Sequence, residues 1–365
     1  MLDFEQGVNP PYVTNEIPGI GGRLRSSPSD FVVEELPLYE PADEGQHLFV
    51  RLTKRELTTK DVERSLQKLF DLPRGAIGFA GMKDKHAVTT QTFSLNVGCQ
   101  PPEFATVDAQ KIAEALPVQV QWARFHHNKL KAGHLLCNRF TVIVRGLDVS
   151  LSTALLRSQA VTELILAHGL PNYFGPQRFG IGGGNVEKGR ALLLRKAYVK
   201  DKWLRRFLIS AYQSFLCNSY LGARVGRDQF HTLLDGDVAK KMDTGGIFEV
   251  EDLAAEQLRY VAHEISFTAP MYGTKMRAAQ REAGALEDEI AAASGIAADQ
   301  WRKARFDGTR RLGRILTPDL TVHGQEENGE ANLALTFTLP KGSFATTVLR
   351  EMMKVDLSGA PGLDE

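Results

Sequence analysis

Over the first 150 residues, hydrophobic positions cluster in short stretches of strand length. Phe31-Val32-Val33 and the segment 47–52 are rich in β-branched and aromatic residues, which suits a pleated, half-buried surface. Between 58 and 75 the period changes. Val62, Leu66, Leu69 and Phe70 follow the i, i+4, i+7/8 spacing of one helix face, Thr58 or Thr59 supplies the cap, and Pro73 with Gly75 stops the helix. A short apolar run, 76–80, ends in Gly81 and the polar loop Met82-Lys83-Asp84-Lys85-His86. Segments 88–97, 118–122 and 140–144 read as further strands.

Past residue 150 the pattern turns helical. One amphipathic helix opens at Ser150 or Ser152 and runs to about 168; the most regular spans about 201–224, with Leu204, Phe207, Leu208, Ala211 and Phe215 on one face. Segments 252–265, 275–294 and 298–305 are helical by composition. Alternation returns at Leu333, Leu335, Phe337 and Leu339, followed by the turn Pro340-Lys341-Gly342-Ser343-Phe344 and a final helix, 345–354. The order strands, helices, strand predicts an α+β domain made from both chain ends with a mostly helical insertion between them. No internal repeat or low-complexity linker interrupts this order.

Composition narrows the class. With 43% hydrophobic and 24% charged residues among 365, the chain is globular, and disordered, collagen-like and coiled-coil readings fail. No apolar run approaches the roughly 18 residues of a membrane span, and the first five residues lack the basic head of a secretion signal. Cys99, Cys137 and Cys217 form no C-x-x-C pair, so no disulfide framework or cysteine zinc site is expected and a cytoplasmic setting is. Lys+Arg and Asp+Glu balance at 44 each, which by itself argues against a nucleic-acid partner. The distribution argues the other way. No acid lies between Glu114 and Asp148, a stretch holding Arg124, Lys129, Lys131, Arg139, Arg145 and His126, His127 and His134. A second basic run, 188–206, contains only Asp201 as an acid. Each run is either a solvated face or part of a side turned to a polyanion.

Three local patterns are candidates for chemistry. In Gly78-Phe79-Ala80-Gly81-Met82-Lys83-Asp84-Lys85 a carboxylate sits between two lysines just past a strand end; it is either a plain exposed loop or an ionised group suited to nucleophilic or electrostatic work. The glycines of 175–184 lack the preceding strand and following acid of a dinucleotide site, so a tight loop near phosphate or packed helix ends is expected. The histidines of the basic stretch have no metal-ligand spacing and read as hydrogen-bond donors in a polyanion-binding strip. Walker A, G-x-S-x-G and H-E-x-x-H motifs are absent.

Three longer segments change the odds together. Gly78-Phe-Ala-Gly-Met-Lys-Asp-Lys-His-Ala-Val-Thr-Thr-Gln, Asn172-Tyr-Phe-Gly-Pro-Gln-Arg-Phe-Gly-Ile-Gly-Gly-Gly-Asn and Gly342-Ser-Phe-Ala-Thr-Thr-Val-Leu-Arg-Glu occur in this order. With Asp30-Phe31-Val32-Val33-Glu34 and Asn138-Arg139-Phe140, they closely resemble the TruD family of tRNA pseudouridine synthases, from about Gly21 to Lys354.

The resemblance implies isomerisation of a uridine in tRNA, uridine-13 of the D arm, without metal or organic cofactor. It also implies a catalytic α+β pseudouridine-synthase domain (1–168 plus 319–365) interrupted by a helix-rich TRUD insertion (169–318). Carried over by motif, Asp84 is similar to the catalytic aspartate, which either attacks C1′ or removes a sugar proton. Asn138 resembles the partner of the base edge and Phe140 the stacking aromatic, while Phe31, Phe344, Lys83 and Lys85 resemble further substrate contacts. Phosphate contacts are expected from Arg124, Lys129, Lys131, Arg139 and Arg178. Cys137 stands where the family commonly has Gly, a departure bearing on pocket geometry. A monomer needing no protein partner and no membrane is expected. A non-catalytic RNA-binding or chaperone protein on this scaffold is the competing class; it predicts the same salt-sensitive binding but has no need of Asp84.

Overall fold

The structure is a computed structural model and describes residues 4–327 and 329–357. Its strands are, in chain order, β1 (Phe31–Pro37), β2 (His47–Arg55), β3 (Ile77–Phe79), β4 (Val88–Asn96), β5 (Val118–His126), β6 (Leu135–Val144), β7 (Leu170–Pro171), β8 (Val238–Lys241), β9 (Ile247–Glu249), β10 (Ile265–Met271), β11 (Thr309–Leu312), β12 (Arg314–Ile315), β13 (Thr321–Glu327) and β14 (Glu330–Pro340). The chain forms two units. A sheet unit contains Ile20–Thr162 and Thr317–Gly342; a helix unit contains Glu163–Leu316 with the segments up to Gly19 and from Ser343. Chain order alone did not indicate that both terminal segments group with the helix-rich middle.

In the sheet unit the strand order is β13-β14-β6-β1-β4-β2-β5, with β3 added on β4. β1 and β4 are parallel; the other pairs are antiparallel. Register defines one face. Glu35 lies opposite Asn138 and Val33 opposite Phe140, Val33 also pairs with Thr89, and Thr89 pairs with Lys54. Strand side chains repeat with period two, so Val33, Glu35, Lys54, Thr89, Asn138 and Phe140 project to the same side. Farther along that face, Leu48, Val50, Leu52, Phe93 and Leu95 form a core with Val62 and Leu66 of the helix Thr59–Leu69 and Ile112 of the helix Phe104–Ala115. Thr58 caps the first helix: its Oγ1 accepts from Asp61 N (3.0 Å), and the Asp61 carboxylate accepts from Thr58 N (2.9 Å), an arrangement that stabilises by about 1 kcal/mol. The helix Phe104–Ala115 was not foreseen because it buries only Ala105 and Ile112, too few positions for a visible stripe.

The helix unit is organised around the helix Lys202–Gly226, capped by Asp201, whose Oδ1 accepts from Leu204 N (2.7 Å). From Leu208 to Gly222 it is buried along its length, packed against the helices Gly184–Leu193 and Arg281–Ser294 and against β10. Two expectations need correction. The helix placed at 252–265 is Leu253–Val261, and Ile265 already begins β10; the helix placed at 275–294 starts only at Arg281. The helix-rich middle also contains a four-stranded sheet, β11-β10-β8-β9. β10 alternates as Ile265-Ser266-Phe267-Thr268-Ala269, but it opens at the very end of the segment that composition reads as helical, and its polar Ser266 and Thr268 are buried like their apolar neighbours. Among the described residues no helix is long and apolar enough to cross a membrane.

Candidate active site

Asp84 follows β3 in a loop that must pass close to its neighbours. A Cβ on Gly78 would lie 2.1 Å from the Leu130 carbonyl oxygen, so only glycine permits that approach. The Ala80 carbonyl accepts from Gly133 N (2.7 Å), and Leu130 N donates to Ser94 Oγ on β4 (2.9 Å). The loop is held by polar groups at the start of the helix Thr59–Leu69 and on the sheet face. Lys83 N donates to Thr59 Oγ1 (2.8 Å), and Lys54 Nζ donates to the carbonyls of Leu57 (2.6 Å) and Asp84 (2.9 Å). Burial pulls the Lys54 ammonium down to a pKa of about 8, against an opposing pull from nearby Asp84.

Asp84 is only 7% exposed. Its Oδ1 accepts from His86 N (3.0 Å), and its Oδ2 is ion-paired with the Arg25 guanidinium, itself 3% exposed. Arg25 adopts a left-handed backbone (φ +58°), a conformation that costs a non-glycine residue about 1 kcal/mol or more. Its guanidinium also lies 4.1 Å above the Phe31 ring. A buried carboxylate thus has its charge offset by a cation that also rests on an aromatic ring.

Lys83 turns inward to Glu35 (2.9 Å), whose other oxygen accepts from Thr92 N (3.2 Å), whereas Lys85 is exposed. Asn138 stands opposite Glu35, half-buried, and its side-chain oxygen is buried without a hydrogen-bond partner. An unsatisfied carbonyl in such a place suits an N–H donor from outside the protein. Phe140 is buried, stacked on Phe337 (5.3 Å between centroids) and edge-on to Phe31 (6.1 Å). Phe31, Lys83, Asp84, Lys85, Asn138 and Phe140 therefore all belong to the sheet unit.

The expected phosphate-binding residues differ in their engagement. Arg124 grips Asp43 through two bonds (2.6 and 2.7 Å) and also reaches Glu40, while His127 faces Glu44 (3.4 Å). The basic strand is thus partly neutralised by the acidic loop 40–44. His126 is stacked on Tyr39 (5.2 Å), and His134 Nδ1 pairs with the Tyr39 hydroxyl (3.0 Å). Lys129 donates to the Gly75 carbonyl, Arg139 reaches Glu34 (3.4 Å), and Lys131 is exposed.

Phe344 and Arg178 belong to the helix unit. Phe344 precedes the helix Ala345–Met353 and meets Phe174 at 5.9 Å. Arg178 donates to Ser210 Oγ (2.6 Å) and lies 5.0 Å over Phe207. The motif around them is knit by polar bonds: Asn172 Oδ1 accepts from Arg311 (2.6 Å), and Phe174 N donates to Asn218 Oδ1 (2.8 Å). Of the glycines at 180–184, Gly180 and Gly183 are crowded, whereas Gly182 and Gly184 face open space. Gly183 (φ +76°) precedes the helix Gly184–Leu193, where a Cβ would strike the Phe4 ring.

The family model for tRNA pseudouridine synthase D (TruD) matches residues 8–200 and 197–352. The chain belongs to the TruD family. A tRNA pseudouridine synthase D from Anaeromyxobacter sp. (strain Fw109-5) is 43% identical over 354 residues, covering 94% of this chain and 96% of the relative. One from Thermus thermophilus is 41% identical, covering 95% of this chain and 92% of the relative. The crystal structure of the Methanosarcina mazei protein assigned to TruD superposes with a TM-score of 0.76 at 25% identity, over 96% of this chain and 98% of that one. The protein is therefore a tRNA pseudouridine synthase, an isomerase with the mixed α+β TruD fold.

Sequence reasoning missed Arg25, Glu35 and Lys54. Two of them left a signal. Strand alternation carries Glu35 onto the side of Phe31 and Val33, and Lys54 onto the side of Leu48, Val50 and Leu52. A charge on an apolar face calls for a buried partner.

Proposed function

We propose that this enzyme isomerises uridine-13 in the D arm of tRNA, with Asp84 as the catalytic carboxylate. The target nucleotide leaves the stack, which costs a few kcal/mol that phosphate and stacking contacts must supply. The Asp84 carboxylate then attacks C1′, or removes the C2′ proton, and the C1′–N1 bond breaks with its electron pair leaving on the uracil. The uracil turns and its C5 bonds to C1′, either displacing the Asp84 carboxylate or adding to the glycal as Asp84 returns the proton to C2′, and the C5 proton departs while N1 is protonated. Asn138 holds the uracil edge through its unpartnered oxygen, and Phe140, Phe31 and Phe344 contact the base and ribose. Lys83 and Lys85 flank the nucleophile, Lys83 through Glu35. Lys129, Lys131, Arg139, Arg178 and Arg124, the last by exchanging Asp43 for a phosphate, bind the backbone. Segments 1–168 and 319–365 carry the catalysis, 169–318 is the insertion, and the enzyme acts as a monomer.

The observation that carries this reading is a nearly buried carboxylate paired with a cation, on a sheet face that also presents an unsatisfied amide oxygen. The test is tritium release from tRNA labelled at uridine C5, wild type against Asp84→Asn, with the modified position mapped. Release by wild type alone, mapped to position 13, supports both residue and site. Equal release by the variant rules out Asp84, and a product elsewhere rules out uridine-13.

A further inference from the structure

The helix unit carries an exposed aromatic–cation stack that the reaction at Asp84 does not use. Trp203, in the first turn of the helix Lys202–Gly226, is 72% exposed. Its indole lies nearly parallel to Phe207 one turn on, with ring centroids 5.5 Å apart and planes 9° from each other. Phe207 in turn carries the Arg178 guanidinium 5.0 Å from its centroid, and Arg178 is fixed by its bond to Ser210 Oγ. The indole is therefore held in one orientation by a ladder that ends in a cation, although most of its surface faces solvent.

Its neighbours decide what such a ring would meet. Lys200, Lys202, Arg205 and Arg206 are exposed around it, and Tyr198 is 83% exposed. Asp201, the acid of this stretch, has its Oδ1 occupied by the helix cap. An exposed, pre-oriented indole among cations that form no ion pair among the described residues fits a strand that is both polyanionic and π-faced. Base–aromatic stacking together with phosphate attraction is how proteins hold unpaired nucleotides. A protein partner would have to bring a surface that is both acidic and apolar.

We infer that Trp203 is a stacking platform for an unpaired nucleotide of the substrate tRNA, with Lys200, Lys202 and Arg205 holding the adjoining phosphates. This rests on the chain acting on tRNA. Because the ring is ordered beforehand, little side-chain entropy is lost when a base stacks on it. Trp203 does not touch the reacting uridine; it is a binding residue, and its loss weakens capture of tRNA without changing the chemical step.

The test compares the full-length wild type with Trp203→Ala, Trp203→Leu and Trp203→Phe, using unmodified substrate tRNA. Expected are a roughly tenfold or larger loss of tRNA affinity for the alanine and leucine variants and a much smaller loss for phenylalanine. The single-turnover rate at saturating tRNA stays within twofold throughout. Since no charge is removed, the affinity ratio holds constant as salt is raised, whereas Lys202→Ala reduces the salt slope. Unchanged affinity in Trp203→Ala, with wild-type turnover intact, overturns the platform alone. No turnover by wild type would count against the function itself. If Trp203→Ala instead dissociates a dimer in sedimentation while binding tRNA normally, the patch is a protein interface and the proposal fails.

Discussion

Arg224–Asp237 in the helix unit and Arg25–Asp84 in the sheet unit are both buried arginine–aspartate pairs, but their surroundings differ. Asp237 takes both carboxylate oxygens to Arg224 Nη1 (2.8 and 2.9 Å) and also accepts from Leu234 N (2.7 Å). Arg224 donates further to Thr232 O (2.7 Å) and Gln229 O (3.2 Å), and the Phe267 ring lies 3.8 Å beneath it. Both partners are fully buried. Around Asp84, by contrast, Met82, Lys85 and His86 are exposed, and an unsatisfied Asn138 oxygen shares the sheet face that holds the loop. A pair whose every polar atom is answered inside the protein is scaffold. A pair beside exposed residues and an unanswered acceptor is placed for something that arrives from outside.

The sharpest way to break this contrast is to neutralise each aspartate. Asp84→Asn should lower turnover by about 10⁴-fold and leave tRNA affinity within a few-fold. Asp237→Asn should keep turnover per folded molecule and destabilise the helix unit by about 3–5 kcal/mol, the usual cost of breaking a buried pair. Denaturant melts alongside single-turnover assays separate the two outcomes; activity loss in both, or melting loss in both, would erase the distinction. A smaller effect is expected from Asn138→Ala. It deprives the uracil edge of its partner and should reduce kcat/KM roughly 5- to 100-fold, the range for leaving a buried donor unpaired, with an unchanged melting curve.

The smallest effect concerns Lys54. Its ammonium holds the Leu57 and Asp84 carbonyls and releases its proton at about pH 8. Above that pH a neutral amine keeps fewer donors for the Asp84 loop, so turnover should decline with a midpoint near 8. Stability should move the other way. The unfolded chain keeps this proton up to about pH 10.4, so between the two values it binds more protons than the folded protein. The penalty of burying the charge is present below pH 8 and is relieved as pH rises through that window. Lys54→Met should abolish both trends, seen in pH–rate profiles and in denaturant midpoints from pH 7 to 10.

Much of this was legible in the chain. The Lys83-Asp84-Lys85 loop and the long helix beginning near 201 stand where pattern and motif placed them, and the strand expected from 140 is present but begins five residues earlier, at Leu135, and so includes Asn138. What could not be read was long-range pairing. Arg25 lies in no periodic element, and its role exists only once the fold brings it to Asp84. Strands β8 and β10 were missed for different reasons: β8, Val-Ala-Lys-Lys, is too short to show a period, and β10 opens at the end of the segment that composition reads as helical. The basic stretch 114–148 was visible as charge, but its partial neutralisation by Glu40, Asp43 and Glu44 depends on the fold of a separate loop.

The missing side chain at Gly78 has a mechanical consequence. Because β3 presses against the Leu130 carbonyl there, and Ala80 is bonded to Gly133, the stretch bearing Lys129 and Lys131 cannot shift without dragging the carboxylate's own turn along. A nucleic-acid backbone resting on those lysines would pull directly on the turn that carries Asp84, as if grip and blade were forged from one piece. Any substitution that wedges the two stretches apart, even a single methyl group at position 78, should therefore be felt at both ends of the tool.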